Sequence, residues 1–363
     1  MAHFNLYTGL ARLIREFKPP QTLGFGQCMA PVMFRADCAD GRWSAGELLP
    51  YGPIPVDPAA KVFHYAQAVF EGLKAYHVNQ SRPVLFRPEM NWRRFNSSAR
   101  RMLMPDLPSD LFLGGLSALT ICCEPLIPRA PGQSLYLRPL LFGTQGTLGL
   151  TPSRAHTFLV IASPCDALAT IPLRVLVERD GTRATRGGTG NVKVSGNYGA
   201  SLSATAAAMA LGFDQPLWLD AESHRYVEEL SVMNFFAVID GTLHTPALAG
   251  TILPGITRAS VMELARTTGL PVHERQMDID ELLQMIKSGR CSEAFACGTA
   301  VTIGHISAIG ERDGSLYPLR ETSGPVTRRL RGQLLDIQEG RAPDTFGWMH
   351  PVAPENVFGT ESN

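Results

Sequence analysis

The chain has 363 residues, with 33 lysines and arginines against 33 aspartates and glutamates, 45% apolar residues and 18% charged ones. A balanced charge provides no global field to draw nucleic acid or an anionic membrane, and no apolar run is long enough to span a bilayer. The length exceeds what one ordinary core serves and predicts two domains of a soluble globular protein. The opening stretch "MAHFNLYTGLARLIREF" lacks the apolar core and small-residue cleavage site of a secretory signal. Next come a helix-and-strand block over residues 61–88 and a helix through "MNWRRFNSSARRMLM". The basic run in that helix reads mostly as a solvated face. "SLYLRPLLFGTQ" and "HTFLVIASP" are β-rich and bounded by turn residues. The apolar pattern then weakens, which predicts a linker over 166–186 that leads into another strand, between a smaller domain at 1–165 and a larger one at 187–363.

The second half opens on "GGTGNVKVSGNYGAS", residues 187–201, with five glycines around Lys193 and Tyr198. Each glycine costs a helix about 1 kcal/mol relative to alanine, so a turn is expected there rather than a helix. "ASLSATAAAMALGFD" is an alanine-rich helix stopped by Gly212, and "QPLWLDAE" is a buried strand. "NFFAVIDGTLHTP" is a hairpin with Asp240-Gly241 at its turn, and a helix follows "LPGITR" and ends at Gly269. The fold class is mixed α/β. Seven cysteines without a C-x-x-C spacing suit a reducing, cytoplasmic compartment, and nine histidines without an H-x-x-x-H pair give a metal site little support.

A lysine among glycines can be a surface charge, a phosphate ligand or a nucleophile. The stretch lacks the G-K-[ST] ending of a P-loop. Six further segments narrow the choice: "VFHYAQAVFEGLKAY", "FRPEMNWRRFNSSARRM", "LYLRPLLF", "YVEELSVMNFFAV", "LPGITR" and "ACGTAVTI". In order and approximate spacing they resemble the branched-chain aminotransferases, over roughly residues 20–350. The chain is thereby identified as a member of the fold-type-IV, pyridoxal-phosphate-dependent enzymes, a two-domain fold like that of D-amino-acid aminotransferase.

The resemblance implies a set of roles. Lys193 would carry pyridoxal 5'-phosphate covalently and shuttle the substrate proton. Glu229 would sit at the cofactor's ring nitrogen; its neighbour Glu228 faces the other side of a strand. Arg94, with Arg93 as the register alternative, would bind the phosphate together with Ile256, Thr257 and Thr299, and Tyr198 would meet the phenolic oxygen. Tyr65, Thr299 and Ala300 would hold the substrate carboxylate. Phe25, Phe70, Tyr136 and Leu150 would wall the side-chain pocket, and Arg138 would admit an acidic co-substrate. The activity implied is amino transfer from an apolar, branched L-amino acid to 2-oxoglutarate by a homodimer in which each pocket is completed by the partner.

Several residues depart from the family pattern. Ser195 stands where glycine is usual, Ser231-Val232 replaces a Gly-Thr or Gly-Gly pair, and "SPCDALATIPLRV" is shorter than the family's interdomain loop. A D-amino-acid aminotransferase or an aminodeoxychorismate lyase of the same fold therefore stays open. So does a cofactor-binding partner protein without turnover.

Overall fold

The computed structural model describes residues 5–6, 9–167, 171–320 and 324–353. Two compact units emerge: Met1–Leu168 with Lys193–Ser195 and Asp336–Asn363, and Ala169–Val192 with Gly196–Leu335. This differs from the division expected from sequence. The supposed linker contains a strand, Leu173–Glu178, of the second unit's sheet, and its residues 168–170 lie outside the described residues. The C-terminal segment and the Lys193 tripeptide group with the first unit, which holds the larger share of the chain.

The first unit is built on a ten-stranded sheet. Its path runs from Asn5–Leu6 through Glu47–Pro50, Val32–Ala39, Ala155–Cys165, Ser134–Gly143, Leu73–Tyr76 and Val84–Phe86 to Met349–Pro351. Arg42–Trp43 and Ala68–Phe70 pair off that path. The two long central strands are antiparallel along their length, from Ser134 opposite Cys165 to Gly143 opposite His156. Helix Pro88–Arg101 starts with proline at its first turn, where the missing N–H costs nothing, and ends on Arg100 and Arg101, which suit the negative end of the helix dipole. Phe95 from this helix and Phe112 from helix Ser109–Cys122 meet Phe34 and Phe158 of the sheet, all four fully buried. Their rings pack in tilted, edge and stacked arrangements, with centroids from 5.2 Å (Phe95–Phe112) to 6.1 Å (Phe34–Phe158). This aromatic layer fixes the helix that carries Arg94.

The second unit has a nine-stranded sheet running from Val227–Leu230 through Gln215–Leu219, Leu173–Glu178, Thr302–Gly310, Cys291–Gly298, Asn234–Ile239 and Thr242–Pro246 to Val272–Arg275, with Leu316–Pro318 paired to Thr302–Gly310 off that path. A further pairing, Glu229 opposite Asn234, closes six of these strands on one another. The core inside is aliphatic, with Val175, Leu217, Leu230 and Ile306 fully buried. The expected hairpin forms with Ile239 opposite Thr242, and Asp240 and Gly241 both take positive φ (48° and 76°), as a two-residue turn of the right twist demands. The glycine stretch departs from expectation. A short helix, Ser195–Ala200, runs through Gly196 and Gly199. The side chain of its Asn197 supplies the missing support, with Nδ2 donating to the carbonyls of Thr189 (2.7 Å) and Val192 (3.1 Å).

No helix among the described residues is long and apolar enough to cross a membrane, and no group of three or more His, Cys, Asp or Glu among them could hold a metal ion. All seven cysteines are free thiols.

Phe158 touches the other three rings of the aromatic layer. Phe158→Ala is expected to cost about 3–5 kcal/mol in a urea melt, with an unchanged denaturant slope.

Candidate active site

Helix Pro88–Arg101 presents Arg94 and Ser98 one turn apart on the same face. Ser98 Oγ donates to the Arg94 carbonyl (2.9 Å) and accepts the Lys193 N–H (2.9 Å). The Lys193 carbonyl in turn accepts the Phe70 N–H (3.1 Å), and Val194 bridges to Val69. Lys193 is thus held by its backbone on both sides. On helix Pro88–Arg101, Arg93 is exposed, whereas Arg94 is partly buried and forks onto Glu71, Nε to Oε1 at 2.7 Å and Nη2 to Oε2 at 2.9 Å. The two arginines of the register question therefore face different surroundings.

Glu71 is wholly buried and also accepts Asn91 Nδ2 at 2.7 Å. Burial alone would raise its pKa. The Arg94 guanidinium, the Lys193 ammonium and the Asn91 amide outweigh that and hold the carboxyl below its ordinary value. Beside this pair, the Phe70 ring lies 4.8 Å from Lys193 Nζ and 4.8 Å from the Arg138 guanidinium carbon, so it touches two cations. Arg138 Nη2 donates to Tyr136 Oη (3.0 Å), and its Nε is buried with no hydrogen-bond partner among the described residues. Burial raises the Tyr136 pKa, which Arg138 opposes. Phe25 meets Tyr136 edge-on at 4.8 Å. Five expected residues of the first unit (Phe25, Phe70, Tyr136, Arg138 and Lys193) thus form one cluster, tied to Arg94 through Glu71.

Tyr65 and Leu150 stand apart from it. Tyr65, at the end of helix Lys61–Tyr65, is 38% exposed, and its hydroxyl donates to the Leu148 carbonyl. Leu150 is 83% exposed in the single chain. Its segment is a bend over residues 149–151.

In the second unit, strand Val227–Leu230 carries both glutamates, and each finds a different partner. Glu229 Oε2 accepts Asn234 Nδ2 (2.9 Å). Its Oε1 accepts the Leu253 N–H (3.0 Å) and lies 2.7 Å from Arg183 Nη2. Glu228 takes a hydrogen bond from Thr251 Oγ1, and burial raises its pKa. Asn234 Nδ2 also donates to the Leu253 carbonyl (2.9 Å), so Glu229 is joined to the segment leading into helix Ile256–Thr267. A Cβ on Gly255 would lie 1.9 Å from Asn234 Oδ1, and only glycine lets the chain pass there. That helix begins at Ile256 and Thr257 with no side-chain cap and no acidic residue in its first turn, the arrangement that leaves backbone N–H groups for an anion. Thr299 and Ala300 occupy the turn after strand Cys291–Gly298, and the chain returns at Thr302 with φ of 66°. Tyr198 lies on the short helix Ser195–Ala200 and is partly buried. The hydroxyl of Ser231 is committed to Trp218 Nε1 (3.1 Å) and Thr205 Oγ1 (3.2 Å), while Val232 is exposed.

Residues 68–309 match the profile of amino-transferase class IV. The chain is 41% identical to branched-chain-amino-acid transaminase 1 of Bacillus subtilis, across 92% of this chain and 95% of that protein. It is 43% identical to a branched-chain-amino-acid aminotransferase of Mycolicibacterium smegmatis, over 90% and 91% respectively. This chain belongs to the amino-transferase class IV family. Among solved structures, a branched-chain amino acid aminotransferase of T.th. complexed with N-(5'-phosphopyridoxyl)-L-glutamate superposes with a TM-score of 0.72 at 28% identity, covering 88% of this chain and 98% of that one. The Escherichia coli branched-chain amino acid aminotransferase gives 0.71 at 26%, with coverage of 87% and 98%. The fold is that of the type IV aminotransferases.

Within this class IV chain, sequence reasoning passed over two residues, Glu71 and Arg183. Glu71 lies inside the quoted "VFEGLKAY", and a lone acid amid apolar residues was a usable sign of a buried, paired carboxylate. Arg183 sits in "DGTRATR", where nothing in the pattern separates it from a surface arginine.

The Glu71 charge stabilises the fold above its ordinary pKa of 4.5, and that contribution is lost as pH falls through the lowered folded value. Glu71→Gln is expected to cost about 3–5 kcal/mol at neutral pH, the scale of a broken buried pair. In paired urea melts the gap between wild type and variant should close below pH 4.5, since the protonated glutamate then resembles glutamine. A gap constant down to strong acid would contradict the pairing.

Proposed function

We propose that the chain is a pyridoxal-phosphate-dependent branched-chain-amino-acid aminotransferase, which converts an apolar L-amino acid and 2-oxoglutarate to the 2-oxo acid and L-glutamate. Its 41% identity to a branched-chain transaminase over 92% of its length carries the reading. The residues present suit the cofactor: an amine on Lys193, a buried carboxylate on Glu229, and Arg94 with an uncapped helix start at Ile256 and Thr257 for a phosphate. Bound pyridoxal phosphate draws electrons from the substrate's α-carbon.

The protein's part follows from its side chains. Lys193 would hold the cofactor through its amine and would take the proton from the substrate's α-carbon when that amine is free. Glu229 would place negative charge beside the ring nitrogen and favour its protonated form. Arg94, the amides of Ile256 and Thr257 and the hydroxyl of Thr299 would serve the phosphate. Tyr198 would serve the phenolic oxygen. Tyr65 and the Thr299–Ala300 turn hold the substrate carboxylate, while Phe25, Phe70 and Tyr136 exclude water around the side chain. Arg138 would pair with the distal carboxylate of the acidic co-substrate, for which its buried Nε, without a hydrogen-bond partner among the described residues, gives support.

The reading extends to a cytoplasmic homodimer, two-domain in each chain, with the partner completing each pocket. The free thiols suit a reducing compartment. One face of the first unit supports the dimer. Phe63, Tyr65, Leu148 and Leu150 are all exposed, and the bonds from Tyr65 to Leu148 and from Lys61 to Gly149 bring their segments side by side. Leu150 would then line the pocket of the other copy.

Borohydride treatment of the yellow protein should fix the cofactor to a peptide containing Lys193. Lys193→Ala should bind the cofactor without that bond and lose turnover by orders of magnitude. A panel of amino acids with 2-oxoglutarate should show kcat/KM highest for branched or larger apolar L-isomers. Turnover of D-isomers alone, or labelling at another lysine, would refute the assignment.

Leu148→Asp with Leu150→Asp is expected to move the protein from dimer toward monomer in sedimentation velocity. An unshifted dimer would show that this face is not the interface.

A further inference from the structure

The Arg183 side chain is only 6% exposed, yet it stands outside the roles described above for cofactor and substrate. Its Nη2 lies 2.7 Å from Glu229 Oε1 and also donates to the carbonyls of Gly190 (3.4 Å) and Thr251. These belong to three segments of the second unit. Gly190 is in the turn just ahead of Lys193, Glu229 is on strand Val227–Leu230, and Thr251 begins the loop that enters helix Ile256–Thr267. The packing leaves no slack, because a Cβ on Gly190 would lie 2.2 Å from the Thr251 carbonyl oxygen.

A carboxylate as buried as Glu229 is stable in its charged form only when paired and hydrogen-bonded. Asn234 and the Leu253 N–H supply hydrogen bonds, and Arg183 supplies the charge. We infer that Arg183 is a positioning residue for amino transfer: it keeps the Glu229 carboxylate charged and in one orientation for the cofactor's ring nitrogen, and ties it to the lysine-bearing turn and the loop of the phosphate helix. This inference rests on the aminotransferase reading. Arg183 touches neither substrate nor cofactor in this role, so its effect runs through Glu229.

The test is a double-mutant cycle on the holoenzyme, using Arg183→Met, Arg183→Lys, Glu229→Gln and their combinations. Two quantities are read: kcat, and the dissociation constant of pyridoxal phosphate from its fluorescence. Arg183→Met should lower kcat by roughly 10- to 100-fold, the scale seen when a group orienting a site ligand is removed. Arg183→Lys should recover part of that loss, since it restores charge without the planar fork. Added to Glu229→Gln, Arg183→Met should change either quantity by less than about threefold, because coupled residues do not act independently. Losses that multiply, an unaltered Arg183→Met enzyme, or a lysine variant as poor as the methionine one would each overturn the role. If the methionine variant shows no cooperative melt, the same cycle run with Arg183→Lys decides. A wild type that binds no pyridoxal phosphate or transfers no amino group overturns the functional reading and takes this inference with it. An active wild type with multiplying losses overturns the Arg183 role alone.

Discussion

A carboxylate shut away from water must be paired or take up a proton, and this requirement organises both units. Glu71 in the first and Glu229 in the second are each about as buried as the surrounding core, and each meets an arginine and an asparagine. The pairings recruit chemistry to the same places. Arg94 is fixed by Glu71, Lys193 lies in the field of that pair, and Asn234 joins Glu229 to the entrance of a helix. Replacing such pairs by apolar residues often leaves a fold as stable or more so. The need to fold does not by itself account for their presence.

The adjacent glutamates show how finely position acts. Glu228 and Glu229 share a strand and differ little in burial, but one has a threonine for its principal partner and the other an arginine. Glu228 is driven toward its neutral form by burial. Glu229 has partners for both of its oxygens. Environments that separate two like groups in this way are a common means of assigning them different work.

Much of this is legible in the sequence because it is local. The hairpin at Asp240-Gly241 follows from the φ values two residues can adopt, and the helix after "LPGITR" from its apolar face and its stop at Gly269. The choices of Arg94 over Arg93 and Glu229 over Glu228 rest on motif spacing. Burial separates the two arginines physically, and hydrogen-bond partners separate the two glutamates. What is illegible depends on contacts that exist only once the chain is folded. Arg183 gains significance only when Thr251 and Glu229 fold against it. The glycine stretch accommodates a short helix because Asn197 reaches back to Thr189 and Val192, a compensation that propensity does not contain. Apolar character predicts burial for Leu150, whereas the side chain is exposed in the single chain.

The backbone of Lys193 has its own consequence. Its N–H and carbonyl are both engaged, by Ser98 Oγ and the Phe70 N–H. The Cα is therefore a fixed pivot, and the flexible four-carbon stem must supply the whole travel of the amine. Such a tethered arm sweeps a bounded arc with its base still, so it returns to the same starting point after every excursion without any rearrangement of the chain that bears it.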